Sequence, residues 1–455
     1  MNPEVQADPE RRTSPAPAVG WLLVSVAFCT VACSAARDTD LPLGLGDTNV
    51  LLLTLCTLRA DHLVSYGYPK NTSPQLDRLA RTGVLFEKVL APAPWTRASM
   101  AAMITGLYPR SLEIEDPGRG RNDRVLDTSF ETLAEHMASA GYFTIGITAN
   151  PNGNAAFNFH QGYATYSGTG RLWRDGYKKN KISAARVADS FLARLDRVEG
   201  LPFFAHLVLV DMHLPYKNAL AEKAGIPLDG TGPIAEYDRQ LRYVDSVIGD
   251  LLAKLSERGF DNLLVIVNSD HGEGFGELNI FDQGHGANLY DSTIWVPWIV
   301  HHPALTASPR RLGGRVSGVD LVPTLLDLLQ IPHDPKTLEG RSHASSILTG
   351  APIAEREAGV VETQYRAAKK SAIVVDEHKL IVDYALEGEP ALFLFDRSRD
   401  ELENLAPTAP ELARELQQQL TAWQHAHPGR IGAASKAAEL SPGEVEALRA
   451  LGYGE

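Results

Sequence analysis

Residues 49–62 read NVLLLTLCTLRADH, and the first seven of them, Asn49 to Leu55, form an almost unbroken apolar run that ends in a polar, turn-like tail. Such a run reads as a strand buried on both faces, which is how the strands of a parallel sheet look when helices cover both sides. The same texture returns at Phe143–Thr148, Phe203–Val210 (FFAHLVLV) and Asn262–Val267 (NLLVIV). Helix-period segments with clear punctuation lie between these runs. Ser73 and Pro74 open one, with Leu76 and Leu79 as inward leucines and Gly83 as its stop. Tyr237 to Arg258 forms another, with Leu241, Val244, Ile248, Leu251, Leu252 and Leu255 on one stripe and Gly259 beyond its end. Strands alternating with such helices predict an α/β chain built on crossover connections.

Beyond about Gly350 the texture changes to strand-like pieces (Ser371–Val375, Lys379–Val382, Leu392–Phe395) followed by a polar helix from Pro410 to Gln424, which reads as a smaller C-terminal α+β subdomain. At the other end, residues 1–19 are polar and proline-containing, with Arg11 and Arg12, and Gly20 to Ala32 is an apolar run of 13 residues (GWLLVSVAFCTVA). Charged, apolar and small residues in that order resemble an export signal. The run falls short of the roughly 20 residues that a spanning helix needs. Thr30-Val31-Ala32-Cys33-Ser34 also resembles the lipobox of bacterial lipoproteins, although that motif favours leucine where Thr30 stands. Lipidation of Cys33, cleavage after Ala36 and an uncleaved anchor all fit this stretch. The expected organisation is therefore residues 1–40 for export, anchoring and a linker, 47–350 for a catalytic-type domain, and 351–455 for the C-terminal subdomain and tail. The expected location is the bacterial cell envelope or periplasm, with a membrane tether at Cys33.

Composition narrows the function classes. The 455 residues carry 43 Lys and Arg against 56 Asp and Glu, a net charge of −13, and no basic run. Phosphate backbones need a basic face, so a nucleic-acid partner is excluded. Three cysteines exclude a disulfide-stapled scaffold.

Ligands of open α/β sheets bind beyond the carboxyl ends of the strands. Those ends carry Cys56 to His62, Asp211-Met212-His213-Leu214-Pro215-Tyr216, and Ser269-Asp270-His271-Gly272-Glu273. Asp270 and His271 are the sharpest pair. A carboxylate and an imidazole adjacent at a strand end can reach one divalent ion, with Gly272 letting the backbone turn away. Residues 94–106 (PWTRASMAAMITG) read as a short helix that begins at Thr96 to Ser99. A hydroxyl there meets the positive end of the helix dipole and open backbone N–H groups, a setting for an anionic ester. On this segment alone, Thr96 or Ser99 reads first as a plain N-cap.

Residues 49–111, from NVLLLTL to GLYPRS, together with VDMHLPY, YDRQLRYVDSVIGDLLAKLSERG, VNSDHGEGFGE, GHGANLYDSTIWVPWIV and VDLVPTLLDLLQIP, resemble in order the motifs of sulfatases in the alkaline phosphatase superfamily. The closing LSPGEVEALRALGYGE is similar to a tail of bacterial members, so the resemblance covers Asn49 to Glu455. It implies an alkaline-phosphatase-like, mostly parallel sheet flanked by helices, and a sulfuric ester hydrolase using one divalent metal ion, calcium or magnesium, with zinc or manganese as alternatives. Asp270 and His271 align with two metal ligands. Thr96 falls where the family places its nucleophile, elsewhere a cysteine matured to formylglycine, so the resemblance implies a hydroxyl nucleophile activated by the metal. His213 aligns with the histidine that contacts the ester or protonates the leaving oxygen. His285 lies near a basic residue that binds the anion.

The departures from the pattern matter as well. Cys56 stands where relatives carry an aspartate ligand; a thiolate there suits a softer ion such as zinc, whereas calcium and magnesium prefer oxygen. Cys56 also reads as a small buried residue in a decayed site. The Cys-x-Pro-x-Arg signature has become Thr96-Arg97-Ala98-Ser99-Met100, which leaves Arg97 and Ser99 as substrate contacts in altered positions. The Gly-Lys-x-His motif is replaced by Ala149-Asn150-Pro151, which makes Asn150 a third substrate contact. Two functions follow: a metal-dependent hydrolase of sulfate or phosphate esters through Thr96, or a catalytically impaired protein that binds an anionic glycan or lipid headgroup in the same cleft.

Overall fold

A computed structural model describes residues 45–46, 48–114, 124–168, 183–198, 200–216, 219–278, 283–354, 358–366, 368–384, 390–395, 401–430 and 438–451. The segment expected to direct export, with Cys29 and Cys33, lies outside the described residues. Among those described, no helix is long and apolar enough to cross a membrane.

The apolar run that opens the described chain is a strand, β1 (Asn49–Leu55), and it is followed by β2 (Val84–Leu90), β3 (Phe143–Thr148), β4 (Thr165–Ser167), β5 (Phe203–Leu209), β6 (Leu263–Asn268), the two-residue β7 (Gly274–Phe275) and β8 (Gln283–Gly284), β9 (Trp295–His301) and β10 (Arg310–Ser317). Eight of them form one sheet in the order β10-β2-β9-β6-β1-β5-β3-β4. Only β9 runs against its neighbours, pairing antiparallel with β2 and β6. The sheet is thus mostly parallel, as the alternation of apolar strands and helices predicts.

The unbroken apolarity of β1 has a direct cause. Leu51, Leu53 and Leu55 pack into one layer with Leu76, Phe191, Leu241, Val244 and Ile248, which come from the helices Pro74–Thr82, Ala184–Leu195 and Pro233–Glu257. Val50 and Leu52 point the other way, into a layer with Leu133, Met137, Leu321 and Leu325 from the helices Leu133–Ser139 and Leu321–Leu328. Each fully buried leucine contributes about 1.5–3 kcal/mol relative to exposure, so a polar residue at any of these positions opposes the fold.

Helix ends differ from the sequence expectation in detail. Pro233 starts the long helix one turn before Tyr237, directly after Gly232. Ser73 does precede the helix Pro74–Thr82, but its hydroxyl donates to Asp77 at 2.9 Å. The open N–H groups of Gln75 and Leu76 instead donate to Asp245, at 2.9 and 2.8 Å, which ties this helix to Pro233–Glu257.

The C-terminal part is a four-stranded antiparallel sheet, β11 (Gly359–Tyr365), β12 (Ala368–Val375), β13 (His378–Asp383) and β14 (Ala391–Leu394), in that spatial order. The helix Pro410–Ala426 covers one face, where Leu416 and Leu420 meet Val360, Ile373 and Leu380. The other face packs Val361, Ala372 and Val374 against Leu90, Leu289 and Ile294 of the main body. Lys379, fully buried, pairs there with Asp291 and Glu401.

Candidate active site

Four strands of the large sheet deliver polar residues to one edge: Cys56 follows β1, Asn150 follows β3, His213 follows β5, and Asp270 with His271 follows β6. Parallel neighbours end at the same edge, so residues 40 to 214 positions apart converge without any local sequence signal. Thr96 arrives from the first turn of the helix Thr96–Thr105, which follows β2.

Thr96 lies at the centre of the cluster. Its Oγ1 is 3.2 Å from His271 Nε2, 3.7 Å from Cys56 Sγ and 3.1 Å from Asn150 Nδ2. Asn150 donates from the same amide nitrogen to Cys56 Sγ at 3.3 Å, while its Oδ1 accepts from the Asn152 backbone N–H at 2.9 Å. That cap fixes the amide's orientation and leaves its donor side on the sulfur and the hydroxyl.

The backbone around Asp270 is braced from three directions. Asp270 Oδ1 accepts from the N–H of His271 at 2.9 Å and of Thr57 at 3.2 Å. Thr57 holds a left-handed φ of 64°, costly for a β-branched residue, and Tyr237 secures it by donating to its carbonyl at 2.8 Å. Ser99 donates to the Asp270 carbonyl at 2.5 Å. Gly272 is required where the chain turns, because a Cβ there would lie 2.0 Å from the Ser292 carbonyl oxygen.

Among the described residues, Asp270 Oδ2 is buried with no hydrogen-bond partner. It lies 3.4 Å from His271 Nε2. His271 Nδ1 is 2.8 Å from the Gly272 carbonyl, which can only accept, so Nδ1 carries the proton and Nε2 the lone pair. Burial holds the His271 pKa below its ordinary value, against the pull of Asp270, and so keeps the ring neutral. A carboxylate oxygen and an imidazole lone pair therefore face each other across 3.4 Å. Burial and the Asp270 charge push the Cys56 thiol well above its ordinary range. Donor atoms of Cys56, Asp270 and His271 all lie within 4.8 Å of one another. The orphaned carboxylate oxygen, the outward lone pair and the sulfur fit a divalent cation, which would compensate all three.

The remaining histidines form a row beside this cluster. His285 lies 4.4 Å from His271 and 4.7 Å from His213, ring centre to ring centre. His213 donates from Nδ1 to the Leu214 carbonyl at 2.8 Å, which sets its tautomer. His285 Nδ1 is 2.9 Å from Glu273 Oε1. Glu273, fully buried, was not marked as a site residue from sequence, although it stands three positions after Asp270; only the turn at Gly272 carries it back beneath His285. Arg97 is also buried, but its guanidinium lies 3.5 Å over the Phe157 ring and donates to Asn152 Oδ1 at 2.8 Å. It braces the segment that carries Asn150. Ser99 is engaged with the Asp270 backbone. Cys56, Thr96, Asn150, Asp270 and His271 are thus brought into direct contact, His213 and His285 flank them, and Arg97 and Ser99 hold the surrounding chain.

A mostly parallel, helix-covered sheet with a threonine at a helix N-terminus and a carboxylate–imidazole pair at one strand edge defines an alkaline-phosphatase-like fold. The family model for Sulfatase matches residues 48–331, more than half of the chain, and the protein belongs to that family, a family of sulfuric ester hydrolases. Among curated relatives, it is 22% identical to an N-acetylgalactosamine-6-O-sulfatase of Bacteroides thetaiotaomicron, over 88% of this chain and 97% of that one. Its fold is similar to that of Ps i-CgsB, solved in complex with k-i-k-neocarrahexaose, with a TM-score of 0.70 at 18% identity, covering 89% of this chain and 97% of that chain. It is also similar to the phosphonate monoester hydrolase of Agrobacterium radiobacter, with a TM-score of 0.65 at 20% identity over 84% of this chain and 96% of the other.

Proposed function

We propose that the protein is an exported, metal-dependent hydrolase of sulfate esters, with Thr96 as its nucleophile. The observation that carries this reading is the position of the Thr96 hydroxyl, which donates to His271 Nε2 and accepts from Asn150 at the N-terminus of a ten-residue helix. A divalent ion held by Cys56, Asp270 and His271 would supply positive charge that favours the deprotonated Thr96 oxygen and neutralises the ester anion.

The chain's own residues do the rest. Asn150 donates to Oγ1 as negative charge gathers there, and the helix N-terminus favours the same charge. The Oγ1 proton passes to solvent water as the bond between Oγ1 and sulfur forms and the ester S–O bond breaks. His213, held through Nδ1 by the Leu214 carbonyl, acts as the imidazolium: it gives the proton on Nε2 to the leaving oxygen and returns to the Nδ1–H tautomer, a role worth about 10²–10⁴-fold. His285, oriented by Glu273, meets the anionic oxygens. Water then splits the threonine-linked sulfate, releasing inorganic sulfate and restoring the hydroxyl. The relatives that act on sulfated sugars support a glycan ester as substrate, and the phosphonate monoester hydrolase supports phosphorus esters as a second class.

The test is hydrolysis of aryl sulfate, aryl phosphate and aryl phosphonate esters by the metal-loaded protein and by Thr96→Ala, which should lose at least about 10³-fold in kcat. If no ester turns over with any divalent ion supplied, the protein is a binder of anionic glycans or lipid headgroups instead. We further propose export and a lipid tether at Cys33, which rest on the apolar run 20–32 and the small residues around that cysteine. Mass spectrometry of membrane fractions should find acyl chains on Cys33; an intact Met1 or a new terminus after Ala36 refutes the tether.

A further inference from the structure

We infer that the metal site of this chain selects zinc-class ions over calcium and magnesium, through a thiolate–carboxylate–imidazole donor set formed by Cys56, Asp270 and His271. The inference rests on the metal-site half of the reading above and not on turnover.

Three facts about the cluster point the same way. The donors are one sulfur, one carboxylate oxygen and one imidazole nitrogen within 4.8 Å of one another, all fully buried. Calcium takes six to eight oxygen ligands and magnesium demands an octahedron of oxygen, so one carboxylate oxygen in a closed pocket serves neither well. Zinc binds four ligands drawn from Cys, His and carboxylate, and soft sulfur favours it further. Second, each donor is already aimed. The Gly272 carbonyl holds the His271 proton on Nδ1, which turns the Nε2 lone pair inward, a carbonyl-to-imidazole brace of the sort that orients metal-bound histidines. Asp270 keeps Oδ1 on two backbone N–H groups and leaves Oδ2 buried without a partner. Third, the Asn150 Nδ2 donor, 3.3 Å from the sulfur, fixes the position of Sγ beside the other two donors. Thr96 Oγ1 lies beside the same three donors, 3.2 Å from Nε2 and 3.7 Å from Sγ.

The experiment is a cobalt titration of the chelator-stripped full-length chain, followed in the near ultraviolet. One equivalent of Co²⁺ should produce a thiolate-to-cobalt charge-transfer band. Zinc should bleach it at equal concentration, while calcium and magnesium in hundredfold excess should leave it. Cys56→Ser should abolish the band and weaken zinc binding by more than the roughly 10–100-fold that loss of an outer partner costs. Asp270→Asn should weaken cobalt binding but retain the band, which separates a lost ligand from a lost fold. A double Cys29→Ser, Cys33→Ser chain should titrate as the wild type. The inference is overturned if cobalt gives no charge-transfer band, if the band survives in Cys56→Ser, or if calcium or magnesium displaces the ion. None of these readouts needs a substrate, so failure of ester hydrolysis with the band intact refutes the catalytic reading alone.

Discussion

Replacing Asn150 with alanine tests the arrangement around Thr96 most directly. The amide makes three hydrogen bonds from a fully buried position: Nδ2 to Thr96 Oγ1 at 3.1 Å, Nδ2 to Cys56 Sγ at 3.3 Å, and Oδ1 from the Asn152 N–H at 2.9 Å. On the proposed mechanism, the first touches the atom on which charge develops. Removing a single preorganised donor to such an oxygen costs about 2.7–4 kcal/mol, or 10²–10³-fold in kcat. The other two are ground-state bonds worth about 1 kcal/mol each in stability. Asn150→Ala should therefore lose about 10²–10³-fold in kcat with little change in KM, and about 2 kcal/mol in unfolding free energy. Asn150→Asp keeps the acceptor for Asn152 but replaces the donor by a carboxylate, so it should retain more stability and recover no activity. Steady-state kinetics on the turned-over aryl ester, together with urea unfolding of each variant, provide the assay. A kcat within threefold of wild type in folded Asn150→Ala refutes the role given to the amide, as does full activity of Asn150→Asp.

Three further outcomes are expected. His206, fully buried between Thr54 and Tyr163, has its pKa lowered by burial to about 4 from 6.5. The unfolded chain therefore binds more protons between those values, and stability present above pH 6.5 should fall by about 3 kcal/mol as pH drops to 4; His206→Gln, measured by urea midpoints across that range, should flatten the loss. Lys379→Met strands the buried carboxylates of Asp291 and Glu401 and should cost about 3–5 kcal/mol, whereas adding Asp291→Asn and Glu401→Gln should restore most of it. Gly286→Ala places a Cβ 2.6 Å from the Tyr365 ring at a φ of 95°, so it should displace His285 and raise KM for the ester, while thermal unfolding registers about 1–2 kcal/mol.

Strands and site residues were legible where one local rule sufficed. The runs at β1, β3, β5 and β6 are apolar because both faces of the sheet are covered, and that leaves a plain mark in sequence. The missed strands break the mark for identifiable reasons. Glu87 and Lys88 interrupt β2 where it is half-buried, Pro297 stands inside β9, and Gly313-Gly314 lie at the register shift of β10 against β2, where a Cβ on Gly314 would meet Ile353 at 2.5 Å. The site followed the same division. Asp270 and His271 were visible as a pair after an apolar strand. The company they keep was not, because Glu273 returns to the site only through a turn around Ser292, and Thr57 braces Asp270 only through a left-handed backbone. Arg97 and Ser99 flank Thr96 in sequence, but a helix rotates successive side chains by about 100°. Arg97 therefore reaches Phe157 and Asn152, and Ser99 reaches the Asp270 carbonyl.

The polar groups at the sheet edge divide by the charge they seek, and the division explains why Thr96 stands where it does. On one side Cys56, the Oδ2 of Asp270 and the Nε2 of His271 present sulfur, an unpartnered oxygen and a lone pair, all of which call for a cation. On the other, Asn150 Nδ2, the N-terminus of the helix Thr96–Thr105 and the row of His213 and His285 present donors and positive ends, which call for an anion. The halves meet directly where Asn150 Nδ2 donates to Cys56 Sγ at 3.3 Å; elsewhere, burying unmatched groups costs about 1–3 kcal/mol apiece. Here Thr96 Oγ1 lies between them, touching His271 on one side and Asn150 on the other. On the proposed mechanism, an oxygen so placed gives up its proton under the influence of the bound cation and carries negative charge against the anion-seeking side, as an ester-transferring hydroxyl must.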